Sequence, residues 1–319
     1  MRGVPAHSVR LGVALWPQAT TWPELLSTAH LVERLGYDHL WSWDHLYAIY
    51  GDPHQPIYEG WTLLGAYAAA TERLRLGLLV GANPFRNPGL VAKTVATLDH
   101  VSNGRAILGM GAAWFEPEHR AHGIDFGAGV GERLDWLDEA VGIMRGLLDG
   151  QEVTHAGPHY QADHLRHAPR PIQDRLPILI GGSGEQKTLR TVARYADMWN
   201  AMGTPDFLRH KDEVLRERCL EVGRDEAEIE RTVSCKLVIR DDRDEARRVW
   251  EAQMAHNRTD PDAERYLWLG RPEEIAEEMR ACVEAGFRTL IVELPAPFDP
   301  ETIERLIGEV RPLLEAGFS

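Results

Sequence analysis

Apolar residues along the chain follow two alternating patterns, short continuous runs and helical repeats. Residues 74–80 form one apolar run. A helical repeat follows it, in which Val91, Val95 and Leu98 fall on one face. An Asn-Gly pair ends that repeat, because glycine adopts the left-handed backbone at little cost, and a second apolar run covers residues 106–110. This stretch therefore predicts a strand, a helix and a parallel strand joined by a right-handed connection.

The same alternation extends over the whole chain. Eight apolar runs predict strands, at residues 9–15, 37–41, 74–80, 106–110, 176–180, 196–201, 232–240 and 289–293. Helical repeats lie between them, and residues 150–175 predict a small hairpin and a Pro-rich connector outside the alternation. Eight strand-helix units in 319 residues favour an α/β fold of the (β/α)8 TIM-barrel type, with one insertion at about 150–175 and one domain over residues 1–319.

The alternative is a doubly wound open sheet. Such a sheet usually carries a glycine-rich dinucleotide fingerprint after its first strand. The corresponding segment here, residues 14–20 (ALWPQAT), contains no glycine. The barrel is therefore the preferred prediction.

Charge and cysteine content exclude several classes of function. The 35 basic and 49 acidic residues give a net charge of −14, which argues against nucleic-acid binding. No signal peptide is visible in residues 1–10 and no apolar run reaches 18 residues, so we expect a cytoplasmic protein without a membrane partner. Cys219, Cys235 and Cys282 are odd in number and widely spaced, which predicts no disulfide framework and no zinc site.

Barrel enzymes place their chemistry at the C-terminal ends of the strands. The residues at those positions are aromatic, rich in glycine and poor in acids, which suits a flat aromatic ligand better than a metal or a sugar. They are Trp16 to Gln18, then Trp43 to His45, Gly81 to Asn83, Gly111 to Trp114, Gly181 to Gly184, and Trp199 with Asn200.

His45 is the strongest candidate for proton transfer, because imidazole side chains titrate near neutral pH. Trp41 and Trp43 flank it in the sequence and would shield the site from water. The alternative is a histidine that only bonds a loop carbonyl. Asp44 either orients His45 or caps the loop.

Gly181, Gly182, Ser183 and Gly184 precede a predicted helix. Backbone N–H groups at such a turn, together with the helix dipole, favour a bound phosphate. An ordinary glycine turn is the alternative. Lys187 and Thr188 would add a charge and a hydroxyl.

Two groups of histidine and glutamate residues are candidate metal ligands. One lies in the insertion and the other follows residue 115; their members are His155, His159, His164 and His167, and Glu116, Glu118, His119 and His122. Helical spacing places Glu118 and His122 on one face. A solvated surface explains both groups, so we predict no metal site.

Several motifs resemble those of the luciferase-like monooxygenases, and most closely the branch of that superfamily which uses the deazaflavin coenzyme F420. The resemblance covers nearly the whole chain. The motifs are residues 37–41 (YDHLW) through Asp44-His45, Asn87-Pro88, Asn103-Gly104-Arg105, residues 109–114 (GMGAAW), 180–184 (IGGSG) and 196–200 (ADMWN).

The resemblance implies a (β/α)8 barrel with the flavin-like ring at its C-terminal mouth. It implies a cis peptide bond between Leu79 and Val80 that bulges against the ring, with Gly81 and Asn83 beside it. Further implied contacts are His45 next to the reacting ring carbon and Asp44 on the cofactor.

The resemblance also implies backbone contacts from Ala112 and Ala113, between Gly111 and Trp114. One position departs from the family pattern. The deazaflavin-dependent sugar-phosphate dehydrogenases carry a glutamate where this chain has Trp114, which makes oxidation of a phosphosugar doubtful. Glu116 and Glu118 lie near that position but do not occupy it.

The sequence thus predicts a coenzyme F420-dependent oxidoreductase that transfers hydride to or from a small, largely apolar organic substrate. The cofactor carries the hydride, and the protein positions it and supplies a proton. One alternative is a two-component monooxygenase that uses reduced FMN and O₂. A second is a non-catalytic flavin-binding protein. We expect a homodimer.

Overall fold

The computed structural model describes residues 9–316 and contains a closed ring of parallel strands surrounded by helices. The twelve strands of the described residues are β1 (Arg10–Leu15), β2 (His39–Ser42), β3 (Arg75–Leu78), β4 (Gly81–Ala82), β5 (Ala106–Gly111), β6 (Val153–Ala156), β7 (Gln161–Leu165), β8 (Ile178–Gly181), β9 (Met198–Ala201), β10 (Glu230–Ile239), β11 (Leu267–Gly270) and β12 (Thr289–Leu294).

The α-helices within residues 9–316 lie between these strands. They are α1 (Trp22–Leu35), α2 (Gly60–Ala70), α3 (Pro88–Val101), α4 (Glu116–His122), α5 (Val130–Leu148), α6 (Thr188–Tyr195), α7 (Pro205–Val222), α8 (Arg243–His256), α9 (Pro272–Glu284), α10 (Pro300–Arg305) and α11 (Arg311–Ala316). Short 3₁₀ helices cover Asn83–Phe85 and Glu226–Glu228, and a π-helical turn at Leu306–Val310 joins α10 to α11.

Eight of the strands close the barrel. Their order is β1, β2, β3, β5, β8, β9, β10 and β12, and β12 pairs again with β1. Every pair in this ring is parallel. The (β/α)8 prediction is therefore confirmed, and the open-sheet alternative is excluded.

Two short strands were not predicted. β4 has two residues and pairs with β5 beyond the end of β3. β11 extends the sheet outside the ring by pairing with the second half of β10. Both lie next to the barrel mouth; β4 is too short to give a periodic signal, and β11 is mostly half-buried and gives no sharp pattern.

Side chains from the ring of strands fill the barrel interior. The inner cluster consists of Ala14, Trp41, Ile107, Leu179, Met198 and Ile291, with Leu79 and Val80 packed against it. A larger apolar layer lies between the strands and the surrounding helices. The barrel is thus a packed core, and only its mouth is available to a ligand.

Local sequence signals explain several helix ends. The Glu24 carboxylate accepts hydrogen bonds from the amide and the hydroxyl of Thr21, which fixes the start of α1. Gly36 ends that helix with a φ of 84°. The Asn87 side chain accepts the amide of Gly89 at 2.9 Å and caps α3.

The insertion is an antiparallel hairpin, β6 and β7, outside the barrel ring. It lies within the predicted insertion at about 150–175 and ends at Leu165. Glu139 on α5 holds it by accepting bonds from the Tyr160 amide and the His155 ring. Within residues 9–316, no helix is both long enough and apolar enough to cross a membrane.

Candidate functional site

The end of β3 forms a bulge across the barrel mouth. The Leu79-Val80 peptide bond is cis, as predicted. After it, Gly81 and Ala82 pair in register with Met110 and Gly111 of β5. Leu79 and Val80 are half-buried and form an apolar ledge at the mouth, on top of the inner cluster.

The glycines at the ends of β5 and β8 accommodate this bulge. A Cβ atom on Gly111 would lie 2.6 Å from Val80 Cγ2, and one on Gly181 would lie 3.0 Å from Val80 Cγ1. A Cβ on Gly109 would lie 1.8 Å from the Leu78 carbonyl oxygen. The end of β3 therefore packs against all three glycines, and the cofactor contacts predicted for Gly111 and Gly181 stay predictions.

Replacing Gly111 by alanine is expected to lower the free energy of unfolding by about 1–3 kcal/mol, because the new methyl group overpacks the ledge. Val80 cannot turn away cheaply, since a β-branched side chain is stiff at χ1. Denaturant unfolding measures the effect. The Gly111→Ala/Val80→Ala double variant should lose less unfolding free energy than the two single variants lose together. Gly65→Ala on α2 is the matched control, because a Cβ there meets no atom within 4 Å. Equal stability of the Gly111 and Gly65 variants would contradict this explanation.

Asp44 anchors the far side of the bulge. Its side chain is 2% exposed. Oδ2 accepts the Ala82 amide at 2.9 Å, and both oxygens bind the Arg86 guanidinium, at 2.7 and 3.0 Å. Arg86 also pairs with Glu59 at 2.6 Å. Asp44 therefore fixes β4 relative to the loop that carries His45, and its contact with a cofactor stays a prediction.

Asn83 is buried and donates from Nδ2 to the Tyr160 hydroxyl at 3.1 Å. This bond ties the turn of the insertion hairpin to the barrel mouth. Burial raises the pKa of the Tyr160 hydroxyl to about 12, so that group remains a neutral partner for the amide. In this structure Asn83 therefore stabilises the barrel mouth through its hydrogen bond to the insertion hairpin.

His45 is held by a carboxylate that follows β5. Its Nδ1 lies 2.8 Å from Glu118 Oε1, and Glu118 Oε2 accepts the amides of Leu46 and Tyr47 at 2.7 and 3.2 Å. Glu118 is 1% exposed, so the sequence-based assignment of this residue to a solvated surface was wrong. Because Nδ1 donates to Glu118, the other ring nitrogen, Nε2, is the one left to act at the mouth.

Aromatic rings surround His45 on three sides. The ring centres of Trp114, Phe115 and Trp43 lie 5.7, 6.3 and 6.4 Å from that of His45, each nearly perpendicular to it. Trp114 is 62% exposed and forms the outer wall. The expected shielding by Trp41 was wrong, because that ring is buried inside the barrel.

The residues before Trp114 expose backbone to the mouth. Ala112 and Ala113 are half-buried, and Ala113 adopts a φ of 63°. An alanine in the left-handed region is uncommon and indicates a constrained backbone. Their predicted contact with a cofactor ring is compatible with this position.

The glycine turn lies after β8 at the mouth. Gly182 is exposed with a φ of 122°; its amide donates to the Asn200 carbonyl at 3.0 Å and its carbonyl accepts from Trp199 Nε1 at 2.8 Å. The peptide groups on both sides of Gly182 are thus partly engaged, and a phosphate would have to bind the amides of Ser183 and Gly184. Lys187 does not face this turn, because its Nζ binds Asp135 on α5 at 2.7 Å.

Three of the four histidines considered in the insertion have protein partners, whereas His167 Nδ1 is buried without a hydrogen-bond partner. His155 pairs with Glu139, His159 stacks on Trp136 at 3.8 Å between ring centres, and His164 pairs with Glu152. No group of three or more His, Cys, Asp or Glu side chains in residues 9–316 is arranged to hold a metal ion.

The mouth presents a half-buried apolar surface between polar groups. It offers an apolar ledge of Leu79 and Val80, an exposed glycine turn on one side, and one imidazole nitrogen on the other. The ledge requires glycine on β5 and on β8, because a Cβ atom on either glycine would lie too close to Val80. The ring of coenzyme F420 and that of FMN share the flat form that such a ledge accepts.

Comparison with known proteins places this geometry in a family. A match to an uncharacterised protein of Mycobacterium tuberculosis is 34% identical over 148 residues and covers 46% of this chain and 51% of that protein. The chain thus spans about half the length of this relative. An F420-dependent glucose-6-phosphate dehydrogenase of Microbacterium testaceum is 29% identical over 324 residues, covering 93% of this chain and 94% of the relative.

Among solved structures, an F420-dependent secondary alcohol dehydrogenase in complex with an F420-acetone adduct shares the fold. Its TM-score is 0.83 at 24% identity, over 96% of this chain and 99% of that one. The family model for luciferase-like monooxygenases matches residues 6–266. The chain therefore belongs to the luciferase-like monooxygenase family.

Proposed function

We propose that the protein is a coenzyme F420-dependent oxidoreductase that transfers hydride between the deazaflavin and a small organic substrate. The observation that carries the proposal is the His45–Glu118 pair beside the Leu79-Val80 ledge. It provides one oriented proton donor or acceptor next to a surface for a flat ring. The dehydrogenase of Microbacterium testaceum, similar over 93% of this chain, supports the choice of F420.

The protein residues have distinct tasks in this reaction. Leu79 and Val80 would carry the ring, and the amides of Ser183 and Gly184 would bind a phosphate of the cofactor. F420, when bound, supplies or accepts the hydride. His45 Nε2 gives a proton to the substrate oxygen or takes one from it, according to the direction of transfer.

Glu118 makes His45 suited to this task. By accepting the Nδ1 proton, it fixes the tautomer and the orientation of the ring, and it stabilises the imidazolium when Nε2 gains a proton. The amides of Leu46 and Tyr47 hold the Glu118 carboxylate in place. The rings of Trp43, Phe115 and Trp114 restrict the access of water to Nε2.

The outer wall favours an apolar substrate over a phosphosugar. Trp114 occupies the position where related sugar-phosphate dehydrogenases are expected to carry glutamate, and Glu118 is turned toward His45 instead. The mouth around His45 therefore presents aromatic carbon and one titratable nitrogen. This composition fits a small alcohol, ketone or alkene.

Cofactor titration tests the proposal. The purified chain is titrated separately with oxidised F420 and oxidised FMN, and binding is followed by quenching of cofactor fluorescence. Tighter binding of F420, followed by its reduction or oxidation with a panel of small alcohols, ketones and enones, is the expected result. Preference for FMN with O₂ consumption would identify the monooxygenase alternative. Binding without redox turnover of either cofactor would identify a non-catalytic binding protein, and both results would overturn the proposal.

The homodimer stays a prediction. Sedimentation velocity of the purified chain measures it directly.

A further inference from the structure

Two loops cross over one side of the barrel mouth, above β1, β12 and β10. One comprises residues 43–59 and the other residues 257–266. They pack closely, since a Cβ on Gly51 would lie 2.2 Å from the Asn257 carbonyl oxygen. Side-chain amides also join them, because Gln55 Nε2 donates to the Asn257 carbonyl at 3.1 Å.

A buried ammonium group lies under this crossing. Lys236 of β10 stands in register with Glu293 of β12, and Glu293 stands in register with Ala14 of β1. Ala14 belongs to the inner cluster, so these side chains point into the barrel, toward the mouth. The Lys236 side chain is 4% exposed, and its Nζ lies 3.7 Å from Glu293 Oε2.

The second partner of Lys236 comes from a loop. Glu264, in the 257–266 loop, places Oε2 3.0 Å from Lys236 Nζ, while its Oε1 accepts the hydroxyl of Tyr50 from the other loop. Two donors from different parts of the fold thus hold the two oxygens of one carboxylate. Burial opposes the charge on Lys236, yet Glu293 and Glu264 raise its pKa above the ordinary value.

The charge balance makes Glu264 replaceable. Lys236 and Glu293, both on strands of the barrel ring, already form a neutral pair. Glu264 adds a second carboxylate that comes from a loop instead of the barrel ring, and its side chain is 11% exposed. If the 257–266 loop moves away, Glu264 reaches water, Lys236 keeps Glu293 as its only carboxylate partner, and the Tyr50 hydroxyl loses its acceptor.

We propose that Lys236 and Tyr50 form a binding subsite for a ligand carboxylate, and that Glu264 occupies this subsite until the ligand displaces it. The ligand carboxylate takes over both hydrogen bonds, and the 257–266 loop opens to admit it. Charge-assisted bonds of this kind are about twice as strong as neutral ones, so an amide of equal shape binds less well.

The aromatic rings next to the subsite define the rest of the ligand. Trp16 stacks on Tyr50 with 4.2 Å between ring centres and lies 4.7 Å from Trp43, whose ring is 6.4 Å from that of His45. Trp16 is 0% and Trp43 5% exposed, so in the proposed binding mode an apolar ligand body contacts this strip only after the 257–266 loop has opened. The substrate class is therefore an apolar molecule with one carboxylate, an assignment that rests on the proposed function, whereas carboxylate binding itself does not.

Calorimetric titration with benzoate and benzamide, in the absence of any cofactor, tests the subsite. These probes share shape and differ in charge. Wild-type protein should bind benzoate more tightly than benzamide. Glu264→Gln, which removes the internal competitor's charge, should strengthen benzoate binding about tenfold, equivalent to 1.4 kcal/mol, and leave benzamide unchanged. Tyr50→Phe should weaken benzoate binding.

Asp262→Asn is the matched control, because this residue lies in the same loop and pairs with Arg247 at the surface. It should leave benzoate affinity unaltered. Lys236→Met alone leaves Glu293 and Glu264 without their cation and is expected to impair folding, so the Lys236→Met/Glu264→Gln double variant is used. This double variant should bind benzoate no better than benzamide. Hydrogen exchange of residues 257–266 should speed up when benzoate binds.

Equal affinity of the wild type for the two probes, or no gain in Glu264→Gln, would overturn the proposal. Benzoate binding without faster exchange in residues 257–266 would overturn the displacement of Glu264. Cofactor titration is independent of these measurements. If the protein binds and turns over F420 but does not bind benzoate, only the subsite proposal is contradicted. If it binds benzoate but not F420, only the proposed function is contradicted.

Discussion

Turnover should fall about 10²- to 10⁴-fold when His45 is replaced by alanine, which is the usual contribution of a positioned general acid or base. The affinity for F420 should change little, since the ledge of Leu79 and Val80 and the turn at Gly182 remain in place. Steady-state kinetics with a reactive substrate, together with a fluorescence titration of the cofactor, measures the two quantities separately.

The neighbours of His45 give this experiment its controls. His45→Asn keeps a hydrogen-bonding group but has no proton that titrates near neutrality, so it should be as impaired as alanine. His54→Ala changes an exposed histidine of the same loop and should retain wild-type turnover. Glu118→Gln should lower turnover less than His45→Ala and alter its pH profile, because the amide presents an N–H to Nδ1 and favours the opposite tautomer. Wild-type rates in both His45 variants across neutral pH would show that this residue only stabilises the loop.

The strands and helices of the barrel were predictable because their signals are local. Eight apolar runs alternate with helical repeats, and each run became one strand of the ring. The cap at Thr21 and Glu24 was equally visible, since its two residues are three positions apart. β4 was missed because two residues contain no period, and β11 because its residues are half-buried and give no sharp pattern.

The positions of the site were predictable from the strand ends, but the pairings were not. His45 and Glu118 are 73 positions apart, and no local pattern connects them. The same holds for Asp44 and Arg86, 42 positions apart, of which only the aspartate was singled out. A signal did exist for Glu118, since helical spacing put it on one face of a short helix with His122, but burial of that face depends on the fold.

The glycines show a different limit. The sequence marked Gly111 and Gly181 only as candidates for contact with a cofactor. The structure adds the Val80 side chain beside both glycines. Only the fold shows this contact, because the place of Val80 depends on the backbone at the end of β3.

The Asp44–Arg86 pair has the largest expected effect on stability. Arg86→Met removes the bidentate partner of a carboxylate that is 2% exposed. Breaking a buried pair in this way costs about 3–5 kcal/mol, because the remaining charge stays without compensation. Denaturant unfolding measures the loss. Arg194→Met is the control, since its pair with Asp138 is partly exposed and surface pairs contribute about 0–1 kcal/mol.

The pH dependence of this loss distinguishes a lost charge pair from a lost packing contact. Burial raises the pKa of Asp44, while Arg86 and the Ala82 amide oppose that rise, so removal of Arg86 raises it further. A carboxyl with a folded pKa above its unfolded value favours the native state at low pH and loses that advantage as the pH rises through the folded pKa. The loss of unfolding free energy in Arg86→Met should therefore be smaller at pH 5 than at pH 8.

The Asp44→Asn/Arg86→Met double variant should recover stability at pH 8, because the neutral amide can still accept the Ala82 amide proton. A deficit that is the same at both pH values, or no recovery in the double variant, would mean that Arg86 acts through packing and that the ledge does not depend on the buried charge of Asp44.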